Sequence, residues 1–126
     1  MVVPGWPKLP FPFSTALISN AGVIHVSGMQ GFDFAAHPPA MVPGGIANQT
    51  AQTLKNIHTV LAAAQGATMD DLLECSVLLR DLKNFETMNS VYKTFFGAAP
   101  PARVAYQAAL AGGAEVEIKC TGEVPK

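Results

Sequence analysis

Residues 46–97, IANQTAQTLKNIHTVLAAAQGATMDDLLECSVLLRDLKNFETMNSVYKTFFG, contain the clearest periodic pattern of the chain. In the first part of this stretch, apolar or small residues recur at steps of three and four, which predicts an amphipathic helix. This stripe consists of Ile46, Thr50, Leu54, Ile57, Leu61 and Ala64. Gly66 is suited to end the helix. The segment LLECSVLLR, residues 72–80, is nearly continuously apolar, as is typical of a strand buried on both faces.

A second helix is predicted after this strand. Asn84 is a suitable N-cap residue, and Gly97 would end the helix. The predicted apolar face consists of Phe85, Met88, Tyr92, Phe95 and Phe96. The stretch therefore predicts a helix, a strand and a second helix in direct succession.

Short β-rich segments lie on both sides of this unit. Residues 14–20 and 23–28 flank an Asn-Ala-Gly turn and predict a hairpin. Residues 29–45 contain three prolines and three glycines and predict a loop. Residues 103–110 and 115–121 predict the last two strands. The order ββαβαββ predicts an α+β domain, with a mixed sheet and two helices packed on one face.

The chain of 126 residues fits a single domain, residues 1–126, in which the proline-rich residues 1–12 form an extended N-terminal arm. The N-terminus lacks the pattern of a secretory signal. No apolar run reaches the roughly 18 residues that a membrane helix needs. We therefore expect a soluble, cytoplasmic protein with no membrane partner.

Charged residues make up 13% of the chain, against about 25% in a typical soluble domain. The mean hydropathy is +0.26. Because so few charged residues are available for the surface of a small monomer, we expect part of that surface to be buried in an oligomer. The net charge of −1 offers no basic field for nucleic acid.

The cysteines and histidines predict no metal site or redox motif. Cys75 and Cys120 lie in separate strand-like segments without a CxxC or zinc spacing, so we expect buried free thiols. His25, His37 and His58 are scattered, and ordinary structural roles are expected for them.

Arg103 and Glu117 are the residues whose chemistry is most suggestive. Arg103 follows a rigid Pro-Pro corner, and its planar guanidinium could bind a carboxylate with two parallel hydrogen bonds. Glu117 alternates with Val116 and Ile118 and so points away from their face of the strand. A sheltered glutamate can serve as a general acid or base. The alternative is that Arg103 is an ordinary surface arginine and Glu117 an ordinary solvent-facing glutamate. The spacing of the two residues does not exclude this alternative.

The chain resembles the YjgF/RidA family, also labelled L-PSP endoribonucleases, along almost its whole length. FPFSTAL is similar to the family's GPYSQAV, and VIHVSGMQ to its YTSGQ strand end. The stretch from residue 52 to residue 97 follows the family's central helix–strand–helix. PPARVAYQAAL and GAEVEI resemble its C-terminal signature.

This resemblance implies a chorismate-mutase-like fold and a homotrimer with sites in clefts between subunits. It also implies hydrolysis of reactive 2-enamino and 2-imino acids, such as 2-aminoacrylate and 2-iminopropanoate, to 2-keto acids and ammonia. No cofactor or metal is expected for that reaction.

The resemblance also assigns roles to individual residues. Arg103 matches the arginine that binds the substrate carboxylate, and Glu117 matches the glutamate that activates the hydrolytic water. Five further positions would line the pocket: Phe13, which stands where many members have tyrosine, Ser27, Gly28, Asn89 and Ala105, which stands where several members have cysteine. Two alternatives stay open: a ligand-binding or regulatory trimer with a carboxylate pocket, and an endoribonuclease. A protein that only binds carboxylates needs the arginine but not the glutamate, so the presence of both residues favours the enzyme. The chain has no stripe of basic residues that would favour RNA binding.

Overall fold

The computed structural model describes residues 1–126 and contains one mixed five-stranded sheet, with strand order β1-β2-β7-β5-β6. The strands are β1 Ala16–Ile18, β2 Val23–Met29, β5 Leu72–Leu79, β6 Ala102–Gln107 and β7 Val116–Glu123. The β1–β2, β2–β7 and β7–β5 pairs are antiparallel, and only β5 and β6 run parallel. The predicted hairpin and the two C-terminal strands are confirmed.

Two helices, α1 Ile46–Ala63 and α2 Phe85–Tyr92, pack on one face of the sheet. The α1 stripe is buried where its period predicted, since Leu54, Ile57 and Leu61 are inaccessible to solvent. These side chains meet Val77 and Ile118 of the two central strands in a single core. The α+β architecture with both helices on one face is therefore confirmed.

Local details differ from the sequence prediction. Helix α1 ends at Ala63, one residue earlier than expected if Gly66 were the first residue after its C-cap. Gln65, with φ of 58°, occupies the first left-handed position, and Gly66, with φ of 71°, occupies the next. Asn84 does precede α2, but its side chain makes no capping hydrogen bond. The predicted loop contains two short antiparallel strands, β3 Phe32–Asp33 and β4 Ala40–Met41.

The second face of the sheet carries no helix. The prediction that residues 72–80 are buried on both faces is wrong for the single chain, because buried residues alternate with more accessible ones along most of β5. Cys75, Val77 and Leu79 face the helices, whereas Ser76 and Leu78 are only partly covered. We call this uncovered side the open face; it also carries Leu17, Val104 and Tyr106.

The prediction of free thiols is wrong, because Cys75 and Cys120 form a disulfide bridge. The two residues lie directly opposite each other in the antiparallel pairing of β5 with β7. Both are almost inaccessible beneath the helices. The two cysteines are 45 residues apart in the sequence, and only the order of the strands brings them together.

No helix in the structure has the length and apolar character that crossing a membrane requires.

Candidate active site

Arg103 lies on the edge strand β6 and faces the helix side of the sheet. In the parallel register it pairs with Cys75, which points toward the helices, and paired residues project from the same face. Pro100 and Pro101 immediately precede the strand and restrict the backbone at its entry. The chain therefore presents the guanidinium toward α2 rather than toward the open face.

Two aromatic rings of α2 hold the Arg103 guanidinium. Its Cζ atom lies 4.8 Å from the centre of the Tyr92 ring and 5.7 Å from that of Phe85. Both distances suit cation–π contacts. The two ion pairs of the chain join Arg80 to Glu115 and Lys83 to Asp81, so Arg103 has no carboxylate partner. Its planar fork of N–H donors is thus supported by rings and left available for an anion.

A cavity of about 350 Å³ opens beside this guanidinium. It is lined by Asn89, Tyr92, Lys93, Phe96, Gly97, Pro100, Pro101 and Arg103. Asn89 Oδ1 and the Tyr92 hydroxyl are buried without a hydrogen-bond partner, which is unusual for polar atoms. Burial raises the pKa of Tyr92, and the positive charge of Arg103 opposes that shift. We call this cavity the arginine half-site.

The ring of Tyr92 should matter more than its hydroxyl. Tyr92→Leu removes one face of the support for Arg103, and a cation–π contact is worth about 0.5–2 kcal/mol. We therefore expect KM for a carboxylate substrate to rise by about 2–30-fold, whereas Tyr92→Phe should stay within about twofold of wild type. Steady-state kinetics on both variants would check this, and an equal defect in both would assign the effect to the hydroxyl.

Glu117 lies on the central strand β7 and faces away from the core, as the alternation predicted. Val116 and Ile118 on either side of it are fully buried. Its carboxylate lies against Gly28, where a Cβ atom would stand 2.5 Å from Oε2, so any larger residue at this position would require the carboxylate to shift. Gln30 Nε2 donates to the other oxygen, Oε1, at 2.8 Å. Gln30 was not predicted from the sequence as a site residue.

A second cavity, of about 400 Å³, lies on the same side of the sheet. It is lined by Phe13, Ser14, Leu17, His25, Val26, Ser27 and Lys119. The Ser27 hydroxyl donates to the Ser14 carbonyl at 2.5 Å, and this bond ties the N-terminal segment to the end of β2. The pairing of β2 with β7 is irregular between Val26 and Met29, so Ser27 and Gly28 occupy the bulge. Glu117, Gly28 and Gln30 do not line this cavity, but Gly28 follows Ser27 in the bulge and lies against the Glu117 carboxylate. We call Phe13, Ser27, Gly28, Gln30 and Glu117 the glutamate half-site.

The structure does not bring Arg103 and Glu117 together within one chain. Arg103 is aligned with Cys75 and Cys120, whereas Glu117 is aligned with Leu78, three residues further along β5. This offset and two strand spacings place their backbones more than about 10 Å apart, on opposite faces of the sheet. Asn89 shares the arginine half-site, and Ala105 packs on the same helix-covered face against the core.

The fold and the two half-sites define a small α+β protein with a cavity of about 350 Å³ beside an arginine. The family model for Endoribonuclease L-PSP matches residues 7–124, and the chain belongs to this family. A bovine (Bos taurus) protein named 2-iminobutanoate/2-iminopropanoate deaminase is 42% identical over 109 residues, which cover 86% of this chain and 77% of that protein.

Solved structures share the fold. A protein from Entamoeba histolytica, assigned as an endoribonuclease L-PSP, superposes with a TM-score of 0.88 at 32% identity, over 98% of this chain and 96% of its own. RidA from an Antarctic Psychrobacter superposes with a TM-score of 0.84 at 30% identity, over 95% and 94% of the two chains. The resemblance inferred from the sequence motifs is thus confirmed.

Proposed function

We propose that this protein hydrolyses reactive 2-enamino and 2-imino acids to 2-keto acids and ammonia. The observation that carries the proposal is the Arg103 guanidinium, which two aromatic rings hold at a cavity without any carboxylate of the chain. A small planar ligand with one carboxylate suits such a site. Relatives of similar length, such as the bovine protein, bear the name of this deaminase.

The proposed reaction divides the work between the two half-sites. Arg103 binds the substrate carboxylate through two parallel hydrogen bonds and orients the adjacent imine carbon. Glu117 accepts a proton from a water molecule, whose oxygen attacks that carbon to give a tetrahedral carbinolamine. Glu117 returns that proton to the nitrogen, which becomes the amino group of the carbinolamine. Transfer of the carbinolamine hydroxyl proton to the same nitrogen then allows the carbon–nitrogen bond to break. Ammonia leaves, and the carbonyl of the 2-keto acid forms.

We propose that the two half-sites meet between copies of the chain in a homotrimer. Leu17, Val104 and Tyr106 on the open face are 62%, 54% and 47% exposed in the single chain, which favours a covered interface. Joining the Arg103 edge of one copy to the Glu117 face of the next would complete the site that one chain leaves divided.

Light scattering tests this assembly. We expect a mass close to 40 kDa at micromolar concentration, three times the 13.2 kDa of one chain. A monomer that hydrolyses imines would contradict the shared site.

The cytoplasmic location, the single-domain boundaries and the role of residues 1–12 as an extended arm stay predictions.

A trapping assay tests the activity. A pyridoxal-phosphate enzyme or an amino acid oxidase generates the imine in the presence of semicarbazide, and the semicarbazone is measured by its absorbance. We expect catalytic amounts of this protein to lower the rate of semicarbazone formation. An unchanged rate together with stoichiometric binding of a 2-keto acid would instead favour the ligand-binding alternative, and cleavage of an RNA substrate would favour the endoribonuclease.

A further inference from the structure

Gln30 contacts both the proposed catalytic carboxylate and the loop that precedes its strand. Met29 pairs with Ile118 at the last paired position of β2 and β7, so Gln30 and Glu117 come next on the two strands. Gln30 Nε2 donates to Glu117 Oε1 at 2.8 Å and to the Ala111 carbonyl at 3.0 Å. Both hydrogens of one amide group are therefore used, which fixes its orientation.

Helix α1 fixes Gln30 in turn. Asn56, which is 4% exposed, donates through Nδ2 to the Gln30 carbonyl at 3.1 Å and to the Phe32 carbonyl at 2.8 Å. On the same helix, Gln49 Oε1 accepts from the Glu115 backbone N–H at 2.8 Å, two residues before Glu117. Both partners of the Gln30–Glu117 contact are thus tied to one rigid element.

The two oxygens of Glu117 have different surroundings. Oε1 accepts from Gln30, whereas Oε2 receives no hydrogen bond from the chain and lies over Gly28. A carboxylate held by one oxygen keeps the other free to accept a proton from water.

We propose that Gln30 is a positioning residue for the hydrolytic reaction, which holds Glu117 Oε1 so that Oε2 takes the proton of the attacking water. The inference rests on the proposed function, and it adds a residue 87 positions away in the sequence to the machinery of that site. Gln30 itself does not touch the substrate. Its effect should therefore appear in turnover and should depend on an intact Glu117.

Gln30→Met tests the contact, because it keeps the length of the side chain and removes the donor. We expect kcat for imine hydrolysis to fall about tenfold, the order expected for one charge-assisted hydrogen bond. KM should stay within about twofold, because the arginine half-site is untouched. Gln65→Met is the matched control, since Gln65 is exposed and makes no side-chain hydrogen bond; it should leave both constants unchanged.

A double-mutant cycle separates positioning from a structural role. In a Glu117→Gln background, Gln30→Met should cost less than about twofold, because the base on which Gln30 acts is already missing. Equal losses in both backgrounds, or a rise in KM without a change in kcat, would overturn the inference. If the Met variant fails to fold in melts and sizing, Gln30→Asn, too short to reach both acceptors, should show the same loss in kcat.

The outcomes also separate this inference from the proposed function. A wild-type protein that hydrolyses imines, loses activity with Glu117→Gln and keeps full activity with Gln30→Met would overturn only the role of Gln30. A wild-type protein without imine hydrolysis would overturn the proposed function and, with it, the role of Gln30.

Discussion

Replacing Arg103 by lysine is expected to lower kcat/KM for imine hydrolysis by roughly 10–150-fold. Lysine keeps the charge but loses the planar fork, so the substrate carboxylate can no longer accept two parallel hydrogen bonds. A hydrogen bond to a charged group contributes about 1.5–3 kcal/mol, which corresponds to this range. The substitution would also remove the cation–π contacts of the guanidinium with Tyr92 and Phe85.

Arg103→Ala should have a larger effect than the lysine variant. It leaves the carboxylate of the substrate unpaired in a partly dry cavity, and an uncompensated charge is costly there. The chain offers a matched control in Arg80, its other arginine, which is 58% exposed at the side chain and paired with Glu115. Arg80→Lys and Arg80→Ala should leave imine hydrolysis within about twofold of wild type, since exposed ion pairs contribute little.

Thermal melts and light scattering should accompany these kinetics. Arg103 lies at the edge strand and lines a cavity, so its loss should not unfold the chain. Wild-type activity in both Arg103 variants would end the carboxylate-binding role. Variants that lose activity only because the trimer dissociates would make Arg103 an interface residue.

Much of the fold could be predicted from local sequence patterns. The three-and-four stripe from Ile46 predicted α1, and the alternation around Glu117 predicted which way that side chain points, because both signals need only neighbouring residues. The predicted end of α1 at Gly66 was wrong by one residue, because the end of a helix depends on the backbone conformation of only one or two residues. The burial of residues 72–80 was overestimated because a nearly continuous apolar run does not reveal that the helices cover only one face of the sheet.

The missed features all depend on strand pairing between distant residues. Cys75 meets Cys120 only because β5 and β7 are neighbours in that register. Gln30 reaches Glu117 across the β2–β7 pair, and no local motif signals such a contact. Arg103 and Glu117 lie on β6 and β7, which are successive strands in the sequence but are not neighbours in the sheet. Their separation follows from β5, which lies between those strands in the sheet.

Glu117→Gln is expected to give the largest loss of all, a fall in kcat of about 10²–10⁴-fold, the usual contribution of a general acid–base group. The substitution is nearly isosteric, and the new amide oxygen can still accept the hydrogen bond from Gln30 Nε2. The geometry of the glutamate half-site is therefore kept while the base is removed. Glu123→Gln on the exposed end of the same strand is the matched control and should leave kcat unchanged.

Binding measurements complete the argument about Glu117. A 2-keto acid should bind the Glu117→Gln variant about as tightly as it binds wild type, because its carboxylate is held at Arg103. Loss of turnover with retained binding would separate the base from the binding group, as the division into two half-sites requires. Loss of both would mean that Glu117 supports the assembled cleft rather than the chemistry. Unchanged turnover would mean that another group activates the water, and that the carboxylate over Gly28 is only a strand residue.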